Sequence, residues 1–264
     1  MNTSFYMGAV GASTSASRLN VVANNIANSN NNAFKPKTVV FTELLNYKLN
    51  DSGNAEAGIQ TGSGGRTQRI YTTFDTAGVL QTNSRYDYAI QEPNAFFMLQ
   101  DPTTGDFSYS RNGHFRAMKL DDGFYLANDS GKMVLDQNKE PIHLDMADVE
   151  KMQAEMEEGY EPEDDYDETN ENDNTDKPRV SLYTFANPSR LTNSGGYEYV
   201  PIDADAEPVL IEHAKMVSGA LESSGTDLVK ELTQMIECQK AYTYALKMVT
   251  TSDEIEGTIN TLRG

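Results

Sequence analysis

The chain has 264 residues, enough for one large domain or two smaller ones, and 38% of them are apolar, which is sufficient for a substantial core. Its formal net charge of -19 argues against nucleic acid as a partner, because phosphate binding requires clustered Lys and Arg. The longest unbroken apolar run covers residues 95–99, far below the roughly 20 residues that a membrane-spanning helix needs. We therefore expect a folded protein that does not span a membrane.

Both ends of the chain carry a heptad pattern. Small or apolar residues recur in alternating steps of four and three, a spacing that keeps one stripe of a helix facing a partner over several turns. The C-terminal pattern contains one polar member. The N-terminal seam consists of Phe5, Ala9, Ala12, Ala16, Leu19, Ala23 and Ile26. The C-terminal seam consists of Leu228, Leu232, Met235, Gln239, Tyr242, Leu246 and Val249.

These seams predict two helices that pair antiparallel as a coiled coil. The alternative is that each stripe only packs a helix on the core of its own domain. Alanine-rich stripes bury little area, so an isolated pair is marginal and needs further partners. We therefore favour self-assembly through the two seams. The first helix is predicted to end near Asn28, and the last to begin with Thr226 as its cap, with Ser252 capping a final turn.

The middle of the chain has the texture of a β-rich domain, with short runs of aromatic and β-branched residues between Gly, Asn and Asp. Asp122-Gly123 predicts a hairpin between strands at 115–120 and 124–127. Other strands are predicted at 68–74, 86–90, 96–99, 107–111, 132–135, 180–185 and 197–200. The fold class is therefore α+β. The predicted divisions are an N-terminal helix and start of a linker at 1–49, a flexible linker at 50–67, a β-rich body at 68–205, and a C-terminal helical segment at 206–264 that pairs with 3–28.

The acidity of the chain is concentrated in residues 155–176, which contain 12 acidic residues and no basic ones. A self-repelling segment of this kind predicts a solvated or disordered loop after a short helix at 148–158. It lacks the residue frame of an EF-hand calcium loop. The first 42 residues, by contrast, contain no Asp or Glu. Their apolar stretch is short and broken by glycines, so we expect no cleavable secretory signal.

The sequence carries no recognisable catalytic or cofactor motif. The three histidines are scattered, the glycines at 62–65 match neither phosphate-binding pattern, and no G-x-S-x-G surrounds a serine. The single cysteine, Cys238, is placed off the C-terminal seam, beside Glu237. We therefore expect no enzyme activity, cofactor or metal. One alternative stays open, because a carboxylate pair about 5 to 9 Å apart in the body would suit a muramidase-type hydrolase.

Two terminal segments form recognisable motifs: Ala23-Asn24-Asn25-Ile26-Ala27-Asn28 followed by Phe34-Lys35, and residues 221–263. The first is similar to the N-terminal signature, and the second to the C-terminal helix motif, of the flagellar rod, hook and hook-associated proteins. In the body, the matching segments are 86–90, Phe96-Phe97 and 109–115. Departures from the family pattern occur at Asn32-Ala33, at Ala95 and at Ser224-Gly225-Thr226.

The resemblance implies a structural subunit of the bacterial flagellar basal-body rod. Such a subunit is exported unfolded through the flagellar type III export apparatus and lies outside the cytoplasmic membrane. Its terminal helices form a helical homo-oligomeric tube, it contacts other rod and hook proteins, and the shaft transmits torque from motor to hook. The family-motif residues are Asn24, Asn25, Ala27, Asn28, Phe34 and Lys35. A moderate length favours a rod protein, with a hook or hook-associated protein as the alternative.

Overall fold

A computed structural model of the protein describes residues 3–44, 47–48, 60–62, 64–82, 84–120, 123–144, 180–203, 206–211 and 214–264. The acidic stretch 155–176, the predicted helix at 148–158 and linker residues 50–59 lie outside the described residues. The chain forms two compact units. The helical unit consists of Met1–Ser29, Pro36–Thr73 and Thr226–Gly264, and the β unit consists of Asn30–Lys35 and Phe74–Gly225.

The helical unit contains a helix from each end of the chain and two short pairs of strands. α1 ends one residue before the predicted boundary, whereas α2 is continuous, so the prediction of a separate final turn capped by Ser252 is wrong. The elements are α1 (Thr3–Ala27), β1 (Lys37–Glu43), β2 (Tyr47–Lys48), β3 (Gln60–Thr61), β4 (Gly65–Thr72) and α2 (Leu228–Arg263). Among the described residues, no helix is both long and apolar enough to cross a membrane.

The cap of α2 also differs from the prediction. Asp227, rather than Thr226, is the N-cap residue, and its carboxylate accepts hydrogen bonds from the backbone N–H groups of Val229 at 3.0 Å and Lys230 at 3.1 Å. A carboxylate satisfies these otherwise unpaired donors and also interacts favourably with the positive end of the helix dipole. Asp227 therefore both accepts the hydrogen bonds and interacts with the helix dipole, whereas an uncharged Thr226 could do only the first.

β1 and β4 pair antiparallel and form a two-stranded ribbon, which we call the β1–β4 ribbon. Its register shifts between Val40 and Phe41, so β4 contains a bulge. The ribbon packs on α1, where the Thr14 hydroxyl donates a hydrogen bond to the carbonyl of Gly65 at 3.1 Å. α1 thus supports the ribbon near the middle of the helix.

The β unit is built on an antiparallel sheet, with two further strand pairs, β5 with β18 and β6 with β17. The main path of the sheet runs β12-β10-β11-β7-β8-β15-β14, with β9 on β10, and with β13 on β7 and β16 on β13. The strands are β5 (Val79–Gln81), β6 (Tyr88–Ile90), β7 (Ala95–Gln100), β8 (Phe107–Ser110), β9 (Phe115–Leu120), β10 (Gly123–Asn128), β11 (Met133–Val134), β12 (His143–Leu144), β13 (Leu182–Thr184), β14 (Leu191–Gly195), β15 (Glu198–Pro201), β16 (Val209–Leu210), β17 (Met216–Ser218) and β18 (Ala220–Glu222).

β7 explains the longest apolar run of the sequence. Phe97 and Leu99 point into one hydrophobic cluster and Phe96 and Met98 into another, because successive side chains of a strand lie on opposite faces. The strand is therefore buried on both sides. Across the sheet, β9 and β10 form the predicted hairpin, in which Gly123 lies opposite Leu120. The architecture is α+β, as predicted.

Candidate functional site

The first candidate site is the surface formed by α1 and α2, which contact each other in antiparallel orientation. Near the start of α1, the Ser4 hydroxyl lies 3.0 Å from the Ser252 hydroxyl. Near its end, the Asn25 amide donates a hydrogen bond to the Glu231 carboxylate at 3.1 Å. The first contact lies near the start of α1 and the second near its end, so the two helices are in contact along nearly the whole length of α1.

Glycines of α1 allow the two helix backbones to approach closely. A Cβ atom on Gly8 would lie 2.9 Å from Cγ2 of Val249 and 3.1 Å from the carbonyl oxygen of Ala245. A Cβ atom on Gly11 would lie 3.7 Å from the Cβ of Ala245, which is an ordinary packing distance. Gly8 is thus required by the close approach, whereas Gly11 is not.

We expect Gly8→Ala to destabilise the helix pair by about 1 to 2 kcal/mol, because the methyl group overpacks the contact with Val249. Gly11→Ala is the matched control and should stabilise the same helix by up to about 1 kcal/mol, the usual difference in helix propensity. Thermal unfolding followed by helical circular dichroism measures both. Equal stabilisation by the two substitutions would contradict the close approach at Gly8.

The contact line on α1 is offset by one residue from the predicted seam. Ser4, Gly8, Gly11 and Asn25 face α2, and each immediately precedes a member of the seam. Within the seam, Ala12 is buried, Ala16, Leu19 and Ile26 are half-buried, and Phe5, Ala9 and Ala23 are exposed. The N-terminal seam therefore lies beside the intrachain contact and leaves apolar surface open.

On α2 the predicted seam and the contact line coincide at some positions only. Val249 contacts the Gly8 position, but Glu231, Ala245 and Ser252 supply the other contacts. Met235 and Val249 are half-buried, while the remaining members of the seam are exposed: Leu228, Leu232, Gln239, Tyr242 and Leu246. The C-terminal seam thus also presents open apolar surface beside the intrachain contact.

Cys238 lies in the buried face of α2 and is only 2% exposed. It lies outside the predicted C-terminal seam, so the buried face of α2 includes positions that the seam does not. Burial raises the pKa of its thiol, nearby Arg18 opposes that shift, and Glu237 adds to it. The thiol is consequently held in its protonated, unreactive form at neutral pH.

Among the family-motif residues, Asn25 has the most contacts. Its amide donates to the carbonyl of Lys37 at 2.9 Å and accepts from the N–H of Lys37 at 3.0 Å, in addition to its bond with Glu231. A side-chain amide that replaces a peptide group in this way fixes the start of β1 against the end of α1. Asn24 and Ala27 are exposed, and Asn28 donates to the carbonyl of Asn24 at 2.7 Å.

The second candidate site is a group of three fully buried charged side chains in the β unit, which we call the ionic cluster: Lys35, Arg111 and Glu222. The Glu222 carboxylate accepts from Lys35 Nζ at 2.7 Å, from Arg111 Nε at 3.0 Å and from Arg111 Nη2 at 3.1 Å. The Ala77 N–H donates to the same carboxylate at 2.9 Å. One glutamate therefore joins three distant segments of the chain.

The remaining donors of the ionic cluster are satisfied by backbone carbonyls. Arg111 Nη1 donates to the carbonyls of Glu92 at 3.1 Å and Ala95 at 2.8 Å, and Lys35 Nζ donates to the carbonyl of Asp75 at 2.5 Å. The backbone flanking the cluster is also paired, since the Ala33 N–H donates to the carbonyl of Glu222 at 2.8 Å. The cluster is thus a structural junction whose polar atoms are engaged.

Burial and charge act in opposite directions on the pKa of Glu222. Burial raises it, but the hydrogen bonds and charges of Arg111 and Lys35 outweigh burial and hold the pKa below its ordinary value. The pKa of Lys35 is lowered, first by burial and then by repulsion from Arg111, against the opposing attraction of Glu222. We conclude that the carboxylate is ionised in the folded state and that removing its charge leaves two buried cations unpaired.

Phe34 precedes the ionic cluster and is buried against Tyr197, with an edge-to-face contact at a centroid distance of 6.3 Å. The sequence analysis grouped Phe34 with Lys35 on motif grounds alone and assigned no role to Glu222. The signal in the sequence that could have indicated this role is that Glu222 directly follows two apolar residues. Such a residue is favoured inside a fold only when it is paired.

The described residues hold no group of three or more His, Cys, Asp or Glu side chains that fits a metal ion. His114 Nδ1 lies 2.8 Å from Asp87 Oδ1, and the centroid of the His143 ring lies 4.1 Å from the centroid of the Tyr125 ring. His213 lies outside the described residues. His114 and His143 therefore have structural contacts of their own.

Comparison with known proteins finds similarity to flagellar rod and hook proteins. Residues 217–262 match the family model described as flagellar basal body rod FlgEFG protein, C-terminal. The chain is 29% identical to the flagellar basal-body rod protein FlgG of Bacillus subtilis and 26% identical to that of Buchnera aphidicola from Schizaphis graminum, with 97% of both chains covered in each case. It is 34% identical to the flagellar hook protein FlgE of Salmonella typhimurium over 48% of this chain and 28% of the hook protein. The chain is thus similar to flagellar basal-body rod proteins along nearly its whole length, and to a flagellar hook protein over about half of it.

Proposed function

We propose that the chain is a structural subunit of the bacterial flagellar basal-body rod, and that it assembles through α1 and α2 into the hollow shaft that transmits torque from motor to hook. The observation that carries this proposal is the end-to-end match with rod proteins, which covers 97% of this chain and of the relative from Bacillus subtilis. The location that follows is the basal body of the flagellum.

We propose that the predicted seams are the contacts between subunits. The contact between α1 and α2 uses Ser4, two glycines and Asn25 on α1, which leaves larger apolar residues exposed beside it. Phe5 is 43% exposed, Leu232 is 41% exposed and Leu246 is 41% exposed. Neighbouring subunits would bury these residues in a coiled-coil tube, which supplies the hydrophobic stabilisation that one small-residue contact lacks.

We further propose that the subunit reaches the rod through the type III export apparatus and contacts other rod and hook proteins there. The relatives are named as rod and hook proteins, which supports an axial location and a structural rather than catalytic role. Export of an unfolded chain also suits α1 and α2, because much of their stabilisation would arise only after assembly.

We expect Leu232→Asp to abolish incorporation into the rod without unfolding the subunit. The side chain is already 41% exposed, so a charge there costs little in the monomer, but it would be buried without a partner in the tube. Thr233→Asp is the control, because Thr233 is the adjacent exposed residue and lies outside the seam. Motility, and the amount of the chain in purified basal bodies, measure the difference. Normal incorporation of Leu232→Asp would contradict the seam.

The hook is the alternative location, favoured by the 34% identity with a hook protein over about half of this chain. Because that match covers only 28% of the hook protein, the rod is the better assignment. Immunogold labelling of isolated flagella separates the two, since a rod subunit is found inside the basal body and a hook subunit is found beyond it.

A further inference from the structure

Residues 30–35 belong to the β unit although they are separated in sequence from the rest of it. They form no helix or strand, and we call them the latch segment. Two backbone hydrogen bonds join the segment to the end of β18 and the residues after it. The Ala33 N–H donates to the carbonyl of Glu222 at 2.8 Å, and the Gly225 N–H donates to the carbonyl of Phe34 at 2.9 Å.

The latch segment is held in place against backbone strain. Among the described residues, four residues other than glycine have a positive φ, and two of them meet here, Ala33 at 54° and Tyr197 at 63°. The Asn31 side-chain amide donates to the Tyr197 hydroxyl, and Phe34 packs edge-on against the Tyr197 ring. A positive φ is unfavourable for a residue with a Cβ atom, and such strain is found at elements that switch between conformations.

The charge of the ionic cluster also opposes the closed position. The cluster holds two cations and one carboxylate, and Arg111 alone pairs with Glu222 through two hydrogen bonds. Lys35 is therefore a surplus cation. Burial, followed by repulsion from Arg111, lowers the pKa of Lys35 in spite of the attraction of Glu222. The charged ammonium group is consequently less favoured in the cluster than in water.

We propose that the latch segment detaches from the β unit as one piece while the sheet stays folded. Opening breaks the two backbone hydrogen bonds and exposes Phe34, but it relieves the strain at Ala33 and returns Lys35 to water. The pair of Arg111 and Glu222 remains intact and electrically neutral. A segment with these properties opens at a lower free energy than the core strands. The opening is a property of the single subunit, so it goes beyond the proposed function and does not depend on it.

Amide hydrogen exchange of the purified full chain tests the opening. The reference is Leu135, whose N–H donates to the carbonyl of Met98 at 3.1 Å and which is as deeply buried as Ala33, at 0% against 2% exposed. The amides of Ala33 and Gly225 should have similar protection factors, at least about 100-fold below that of Leu135. Low concentrations of urea should change them little, because the opening exposes little surface. Protection and urea dependence equal to those of Leu135 would show that the segment opens only on global unfolding, which overturns the proposal.

Two substitutions test the forces that oppose closure. Lys35→Met removes the surplus cation and should raise the protection factor of the Gly225 amide by about tenfold. Ala33→Gly should raise it by about two- to fivefold, because glycine adopts a positive φ without steric cost. Lys139→Gly is the matched control, since Lys139 has a φ of 62° at an exposed position outside the latch segment, and it should leave this protection factor unchanged. Lower protection in Lys35→Met would show that Lys35 holds the segment closed, and the proposal would then be wrong.

Discussion

Glu222→Gln should lower the free energy of unfolding of the β unit by about 3 to 5 kcal/mol. The neutral amide cannot balance Lys35 and Arg111, which are both fully buried, and breaking a buried ion pair leaves uncompensated charge. Urea unfolding followed by tyrosine fluorescence measures the loss, because the chain contains 14 Tyr and no Trp.

Two further variants separate charge from simple loss of contacts. Glu207→Gln, at an exposed position of the same unit, should change stability by less than about 0.5 kcal/mol. Lys35→Met combined with Glu222→Gln should be more stable than Glu222→Gln alone, since one unpaired cation is removed. If the double variant is instead less stable than the wild type by the sum of the losses that the two single substitutions cause, the electrostatic account of the ionic cluster is wrong.

The acid stability of the protein should depend on the same carboxylate. The folded-state pKa of Glu222 lies below the ordinary 4.5, so its contribution to stability is fully present above that pH. As the pH falls through the folded-state pKa, the carboxylate takes up a proton and that contribution is lost. Unfolding free energies measured from neutral to acidic pH should therefore fall more steeply in the wild type than in Glu222→Gln.

Gly113→Ala should destabilise the β unit by about 3 kcal/mol or more, near the upper end for an overpacked site. A Cβ atom at this position would overlap the carbonyl oxygen of Tyr88 and lie 3.1 Å from Cε2 of Phe97. The Tyr88 N–H donates to the carbonyl of Gly113 at 3.0 Å, so the two backbones cannot separate without losing this hydrogen bond. Thermal unfolding of the full chain measures the shift.

Gly257→Ala is the control for this substitution. No neighbouring atom lies within 4 Å of a Cβ built there, and the position is inside α2, so alanine should stabilise the helix by up to about 1 kcal/mol. A Gly113→Ala protein as stable as the wild type would contradict the close approach between Gly113 and Tyr88.

Local sequence patterns predicted many of the helices and strands, because helix, strand and turn signals depend on residues that are close together in the chain. The hairpin of β9 and β10 followed from a turn dipeptide between two short apolar runs, and α1 ended within one residue of its predicted boundary. A strand was predicted at 96–99, within β7, but its burial on both faces was not predicted and appears only in the structure. The cap of α2 was predicted one residue too early because Thr and Asp are both good capping residues.

The helix contact shows where periodicity stops being informative. Small and apolar residues occupy two adjacent heptad positions along α1, such as Gly8 beside Ala9 and Gly11 beside Ala12. Spacing alone cannot decide which stripe faces the partner within the chain. The close approach at Gly8 selects one stripe for α2, and the other stripe is left for the proposed contacts between subunits.

The sequence by itself determined that this chain has a heptad-patterned helix at each end and a β-rich middle, and its motifs showed the similarity to flagellar rod and hook proteins. Only the tertiary structure decided which helix faces meet, that Cys238 is buried, and that Glu222 pairs with Lys35 across 187 residues of sequence. The physical reason is that periodicity and turn chemistry act over a few residues, whereas the partner of a buried charge is set by packing between distant segments.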